Sequence, residues 1–325
     1  MKCNSCLFPI SEKDKKVECG SCGKHTHSFC LLPKGDLMVC DVCLNKPVEK
    51  TILQLPEKIR RTYIELYRAC PNKFKLEVIE GNKQPPRPYT QVGIDLHEIF
   101  EKASWDRSYV KSDWYNDYFN GYVPKQREMG IYKDEEEEKA FEKRAISSFD
   151  NFELVLPTIP KPFKTEETIE FDVGEGLPKA SFTMDLITEN ENGNLDLHDW
   201  KTGKELVGKQ LASDLQAPIY IYGVEKEYGR QVDSFTFHYL KDGKTRKFVR
   251  VSHGVYVCTV GKRDYFIKTA EMIGDLQKMF GAMKKGDFNI PKDTKRMYFP
   301  CKMCHLKEEG LCLGADQEVW KRFNQ

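Results

Sequence analysis

TMDLIT (183–188) and LHDWKTGK (197–204) decide the fold. Both alternate apolar and polar residues as strands do, and Glu191-Asn192-Gly193-Asn194 between them carries hairpin-turn residues. Residues two apart on a strand face the same side, so Asp199 and Lys201 point together. Asp185, on the preceding strand, can meet them across the hairpin. Two carboxylates and an ammonium on one face are costly to bury without purpose. Hard oxygen ligands in that arrangement suit Mg²⁺ or Mn²⁺. A lysine beside such an ion can orient or deprotonate an attacking water and offset charge developing on a phosphate. Asp-x-Lys alone is common, and a solvated turn is its preferred explanation when taken by itself, so the flanking chain must carry the reading.

Working outward, the spacing predicts strands near 167–173, 180–188 and 195–200 and a helix over 208–227. Strands near 232–240 and 246–253 follow, with Asp242-Gly243 between them, and then a long helix over 261–284. Upstream, residues 47–58 read as a linker. IRRTYIELYRAC continues as a helix with Ile59, Tyr63 and Leu66 on one face, ending near Pro71. Residues 93–103 read as a helix, and Glu135 to Glu138 open another through about Phe149. Helices first, then a mixed sheet with an inserted helix, give an α/β (α+β) domain spanning 59–325. The aromatic stretch 105–123 holds Trp105, Tyr109, Trp114, Tyr115, Tyr118, Phe119 and Tyr122. Core packing is preferred for it over stacking on single-stranded bases. Lys125, Arg127, Lys241, Lys244, Arg246 and Lys247 are candidate phosphate contacts, although KDGKTRK reads equally well as a solvated hairpin tip.

The chain has 325 residues, a net charge of +1 and 12 cysteines. A charge so near zero excludes wholesale basicity, so any nucleic-acid contact must be local. No run of about 18 apolar residues exists, and MKCNSCLFPI lacks the apolar core of a secretory signal. The expected location is therefore the cytoplasm of a bacterial or phage-infected cell, without membrane attachment. Thiols stay reduced there, and metal explains the cysteines better than disulfides do. Cys258, in the alternating apolar stretch VSHGVYVCTV, reads as an inert core thiol. Cys3, Cys6, Cys19, Cys22, His27, Cys30, Cys40 and Cys43 form four pairs, each with two residues between, enough for two tetrahedral zinc ions. About 45 residues cannot bury a stable core alone, so metal must supply the folding energy.

This order of four cysteines, one histidine and three cysteines resembles a plant-homeodomain (PHD) type finger, here residues 1–46. The resemblance implies Cys3, Cys6, His27 and Cys30 on one zinc, and Cys19, Cys22, Cys40 and Cys43 on the other. Sequential pairing, with Cys3 to Cys22 as a ribbon, is the alternative, and His25 competes with His27. Met38 stands where that family carries tryptophan, and the residues show no aromatic cage, so histone reading is not carried over.

Residues 60–325 resemble the RecB-like branch of the PD-(D/E)xK nucleases, which includes iron–sulfur exonucleases of CRISPR adaptation systems and of phages. The motifs, in order, are YRACPNKF with Cys70, GIDLH with Gly93 and His97, TMDLI with Asp185, and LHDWKTGK with Asp199 and Lys201. LQAPIYIYG with Gln216 and Tyr220 and CKMCHLKEEGLC with Cys301, Cys304 and Cys312 complete the set. The resemblance implies a restriction-endonuclease-like core, a mixed sheet flanked by helices. His97, Asp185, Asp199 and the carbonyl of Trp200 would hold Mg²⁺ or Mn²⁺, and Lys201 would position the water. Gln216 and Tyr220, four apart on one helix face, would line the DNA path or brace Lys201. Cys70, Cys301, Cys304 and Cys312 would hold a 4Fe-4S cluster that staples the ends of the domain, although spacing alone suits zinc equally. Two departures stand out: Phe182 replaces a frequent glycine, and Pro218 falls inside the Gln-x3-Tyr helix, where a kink is expected. The implied activity is a metal-dependent DNA exonuclease for ends or single strands, in recombination, replication or repair, with the finger binding DNA or a recombination or replication protein. The rival reading is a non-catalytic module that grips DNA ends or a protein partner through a nuclease-like fold.

Overall fold

The computed structural model describes residues 55–83, 86–289, 304–309 and 311–312, together with the backbone of four short strands nearer the N-terminus. The chain divides into two compact units, Met1–Gln54 and Leu55–Gln325. In the first, β1 (Lys16–Glu18) pairs antiparallel with β2 (His25–His27), and β3 (Leu31–Lys34) with β4 (Leu37–Cys40). Cys3, Cys6, Cys19, Cys22, Cys30, Cys43 and Cys301 lie outside the described residues, and at His27 and Cys40 only strand backbone is described.

The second unit is built on an eight-stranded mixed sheet. Its strands are β5 (Lys58–Arg60), β6 (Pro162–Asp172), β7 (Lys179–Glu189), β8 (Leu195–Lys201), β9 (Val232–Tyr239), β10 (Lys244–Ser252), β11 (Val255–Val260) and β12 (Arg263–Lys268). The order is β12-β11-β10-β9-β8-β7-β5, with β6 against the other edge of β7. β8 and β9 run parallel, so a crossover must join them, and α8 (Gln216–Tyr228) supplies it after the short α7 (Lys209–Ala212). The helices before the sheet are α1 (Arg61–Ala69), α2 (Pro71–Phe74), α3 (Pro88–Trp105), α4 (Lys111–Asn116), α5 (Val123–Glu128) and α6 (Glu135–Val155). α9 (Thr269–Lys284) and the turn α10 (His305–Glu308) follow it.

The main core explains the aromatic stretch. Leu96, Ile99, Phe100 and Ala103 of α3 and Phe149 and Phe152 of α6 enclose Trp114 and Tyr118, and this layer rests on Leu186 and Trp200 of the sheet. Phe152 meets Trp200 edge-on at 5.1 Å. Trp105, 55% exposed, is the exception among the aromatics.

Four expectations are corrected. Ile59 lies on the short strand β5 and is fully buried there, so the first helix starts at Arg61. The 208–227 helix is two helices, and Pro218 falls in the first turn of α8, where its missing N–H would have had no helical acceptor; no kink is required. The span expected as helix 261–284 begins with β12. Gly261, at φ +63°, and Lys262 turn the chain back from β11, so Arg263 pairs with Val260. α6 runs to Val155, one and a half turns past Phe149.

Candidate active site

The site forms where β7 loses its partners on one edge. Residues Lys179–Ser181 pair there with β5, and Leu186–Glu189 pair with β8. Between these segments, Phe182–Asp185 have no ladder partner on that edge. The gap is closed by a side chain: the Trp200 amide donates to Asp185 Oδ2 at 2.6 Å. A strand residue's N–H and C=O leave on the same edge, so the Trp200 carbonyl faces this gap as well.

Beyond the gap, β8 carries Asp199, almost fully buried, and Lys201, whose Nζ lies 2.7 Å from Asp199 Oδ2. Gln216, the first residue of α8, bridges the pair. Its Oε1 accepts from Lys201 Nζ at 2.7 Å, and its Nε2 donates to Asp199 Oδ1. The amide orientation is forced, because an ammonium only donates and a carboxylate only accepts. Asp214 fixes the helix start by accepting from the Gln216 amide at 2.9 Å. Tyr220, one turn on, is buried, stacks on Phe182 at 4.3 Å and hydrogen-bonds the Arg61 guanidinium. Tyr220 therefore packs the wall beside Lys201 and makes no hydrogen bond to it.

His97 comes from α3, whose core residues Leu96 and Phe100 anchor the helix while the imidazole reaches the sheet. Its Nδ1 lies 3.4 Å from Asp185 Oδ1. A third group joins them. Glu166 stands opposite Asp185 on β6, since Thr165 pairs with Leu186 and Glu167 with Met184. Its φ of +45° is the one left-handed value among the described non-glycine residues, a costly conformation that places its carboxylate by His97 and Asp185. One ligand atom from each of His97, Glu166 and Asp185 lies within 4.8 Å of the others. Donors about 2.1 Å from an octahedral ion stand about 3 to 4 Å apart, so the spacing suits a divalent cation.

The electrostatics agree with that chemistry. Burial pushes Asp199 up to about 6, and Asp185 adds to the rise against the pull of Lys201. Burial raises Glu166 to about 7, again with help from Asp185. Burial opposes charge on His97, but Asp185 overcomes it and lifts the imidazole to about 9. Burial opposes charge on Asp185 too, and His97 outweighs it and holds the carboxyl below its usual range. Carboxylates crowded this way destabilise one another, and a bound cation relieves them.

His97, Asp185, Asp199, Lys201 and Gln216 thus come together, with the edge of Trp200. Glu166 and Arg61 were missed. Glu166 could have been found by counting back along the β6–β7 pairing from Asp172 opposite Lys179. Of the basic candidates, Lys244 and Arg246 both pair with the buried Glu205, and Arg127 pairs with Glu138 and Glu142, so these three are committed within the protein. Cys258 is buried, with its thiol pushed up by burial, as an inert core cysteine should be. Of the four C-terminal-cluster cysteines, Cys304 packs with Leu76 and Leu306, Cys312 borders them, and Asn72 Nδ2 donates to Cys312 Sγ at 3.2 Å. Cys70 caps α2 through the Lys73 amide.

The family model described as the PD-(D/E)XK nuclease superfamily matches residues 61–308. A solved chain titled "Crystal structure of SSO0001" matches with 14% identity over 67% of this chain and 93% of that one, at a TM-score of 0.31. No curated protein matches.

Proposed function

The chain belongs to the PD-(D/E)XK nuclease superfamily, and from that premise we propose that it is a metal-dependent deoxyribonuclease that trims DNA exonucleolytically, at ends or on single strands, in recombination, replication or repair. The observation that carries this reading is the closed ring of Asp199, Lys201 and Gln216 beside the gap held by Asp185.

Nucleases of this superfamily use divalent metals, and His97, Glu166, Asp185, Asp199 and the Trp200 carbonyl are the groups that would hold Mg²⁺ or Mn²⁺ here. Such an ion supplies positive charge where the phosphate becomes more negative. The chain's own residues do the rest. Lys201, as an ammonium, donates a hydrogen bond that would hold the attacking water in line and offset charge developing on the phosphate. Gln216 fixes the ammonium so that it need not reorganise during reaction. The mean charge of the site stays near neutral once a cation is in place, which keeps burial affordable.

The finer assignments rest on the sequence. Two zinc ions would fold the N-terminal finger, which would bind DNA or a recombination or replication protein. Cys70, Cys301, Cys304 and Cys312 would hold a 4Fe-4S cluster. The hydrogen bond from Asn72 to Cys312 supports it, because it draws the segment after Cys70 to the C-terminal cysteines. No helix among the described residues is long and apolar enough to cross a membrane, and the place we propose is the cytoplasm, where thiolates are kept available for metal.

The test uses end-labelled DNA with Mn²⁺, wild type beside Lys201→Ala. We expect ladders shortening from an end, and a loss of about 10²- to 10⁴-fold in the variant. A folded, metal-loaded wild type that cuts nothing would leave the non-catalytic binding module as the reading. Brown protein that loses its colour in Cys304→Ser supports iron. Colourless protein purified without air, with three zinc ions per chain, excludes it.

A further inference from the structure

A groove of about 930 Å³ runs beside the site, and no catalytic role given above uses it. One wall is β7, with Ser181, the last residue paired with β5, and Phe182 and Thr183 on the unpaired edge; Thr183 lies two residues before Asp185. The opposite wall is the start of α1. Lys58, Arg60, Arg61 and Lys83 line the groove against only two carboxylates, Glu57 and Glu170. In a chain whose net charge is +1, this is a local excess of positive charge at the mouth of a nuclease site.

Lys58 is paired with Glu170, and Arg61 with Glu65 and Tyr220. Arg60 and Lys83 have no ion-pair partner among the described residues. The placement of the arginines breaks a local rule. A helix N-terminus carries partial positive charge and prefers acidic residues. α1 instead opens on Arg60 and Arg61, has no acidic residue in its first turn, and receives no side-chain cap. Glu65 answers Arg61, which leaves Arg60 as an uncompensated cation beside unsatisfied helix amides, an arrangement that favours an anion there. The same lining includes Tyr63 and Tyr220, and a basic groove with aromatic walls suits an unpaired nucleic-acid strand more than a duplex.

We propose that this groove holds a single DNA strand by its phosphates, gripped by Arg60, Lys83 and the N-terminus of α1, and delivers it to Lys201. Arg61, which reaches from the groove to Tyr220, joins the two. The proposal rests on the nuclease reading for its direction, but its test does not require cleavage.

Fluorescence anisotropy of labelled oligothymidine, in Ca²⁺ and over a series of salt concentrations, is compared for the wild type and the double variant Arg60→Glu, Lys83→Glu. Both side chains are exposed, so the fold should survive, and circular dichroism checks it. Losing two phosphate contacts should flatten the slope of log K against log salt by about 1.4 for a single strand. Affinity should fall at least tenfold at low salt, and less for a blunt duplex. Unchanged affinity and slope would overturn the proposal, and so would equal weakening for the duplex. A parallel Mn²⁺ digestion separates the two readings. A wild type that binds through the groove but cuts nothing defeats the nuclease assignment alone. A double variant that binds and cuts like wild type defeats the groove alone.

Discussion

Glu166 shows how a single residue can matter more than its motif. It belongs to no pattern in the sequence; FKTEETIEFD reads simply as a strand. Only its register opposite Asp185 and its left-handed backbone place it in the site. A non-glycine residue at positive φ costs about 1 to 3 kcal/mol, and here that strain aims a carboxylate at the same point as His97 and Asp185. Glu166→Gln should therefore weaken Mn²⁺ binding by about tenfold or more, as read by isothermal titration calorimetry, while leaving the fold intact. Unchanged affinity would remove Glu166 from the ligand set. The contrast with Asp199 and Lys201 is instructive. Their two-residue spacing is a strand periodicity and could be read directly. Glu166 acts through pairing between strands, which no spacing within one strand reveals.

At the scale of elements, the site depends on how α8 lies against β7. Phe182 stands where the resembling family often has glycine, and the structure shows where its ring goes. Gly223 of α8 leaves the space: a Cβ there would meet Phe182 Cζ at 2.8 Å and Phe171 Cδ1 at 3.0 Å. Gly223→Ala gains about 1 kcal/mol in helix propensity but must push the ring aside, at about 1 to 3 kcal/mol. Overpacking should win, so the melting temperature should fall; a rise would mean that the helix can retreat. Because Phe182 stacks on Tyr220, the same substitution should disturb the wall beside Lys201. The central hairpin was legible from alternation and turn residues, and β7 and β8 fell within a residue of expectation, but β6 begins at Pro162, five residues before the expected start at 167, and Glu166 lies in that missed part. β12 was not legible. Only Ile267 of its six residues is buried, so it gives almost no alternating signal, and the helical pattern of α9 overran it.

For the whole molecule, the buried histidines set an acid limit. His198 Nε2 meets Thr188 Oγ1 at 3.0 Å, and His198 Nδ1 meets His238 Nε2 at 3.2 Å. Both rings lie inside the sheet's packing. Burial, with Lys247 nearby, depresses His238 to about 4, against an ordinary value of 6.5. Unfolding lets the ring take a proton near 6.5, whereas the folded protein resists protonation until about 4. The stability at stake is present above 6.5 and declines as the pH falls from 6.5 to 4. The difference is about 3 kcal/mol. Urea denaturation should show the midpoint dropping between pH 7 and pH 4.5, with a smaller drop in His238→Phe. An identical drop in that variant would assign the acid limit to other groups. Sequence could list seven histidines, but could not say which are dry, because that follows from strands 40 residues apart becoming neighbours.

The parted strands at β7 and β8 make one amide a shared possession of scaffold and chemistry. The Trp200 N–H has a carboxylate as its partner where a sheet would normally offer a carbonyl. Its nuclear magnetic resonance frequency and its exchange with solvent deuterium therefore record the charge on Asp185 directly. Trp200 is a native sensor: cation binding, substrate arrival and acidification each write a signal on a backbone N–H that itself donates or accepts no proton in the reaction.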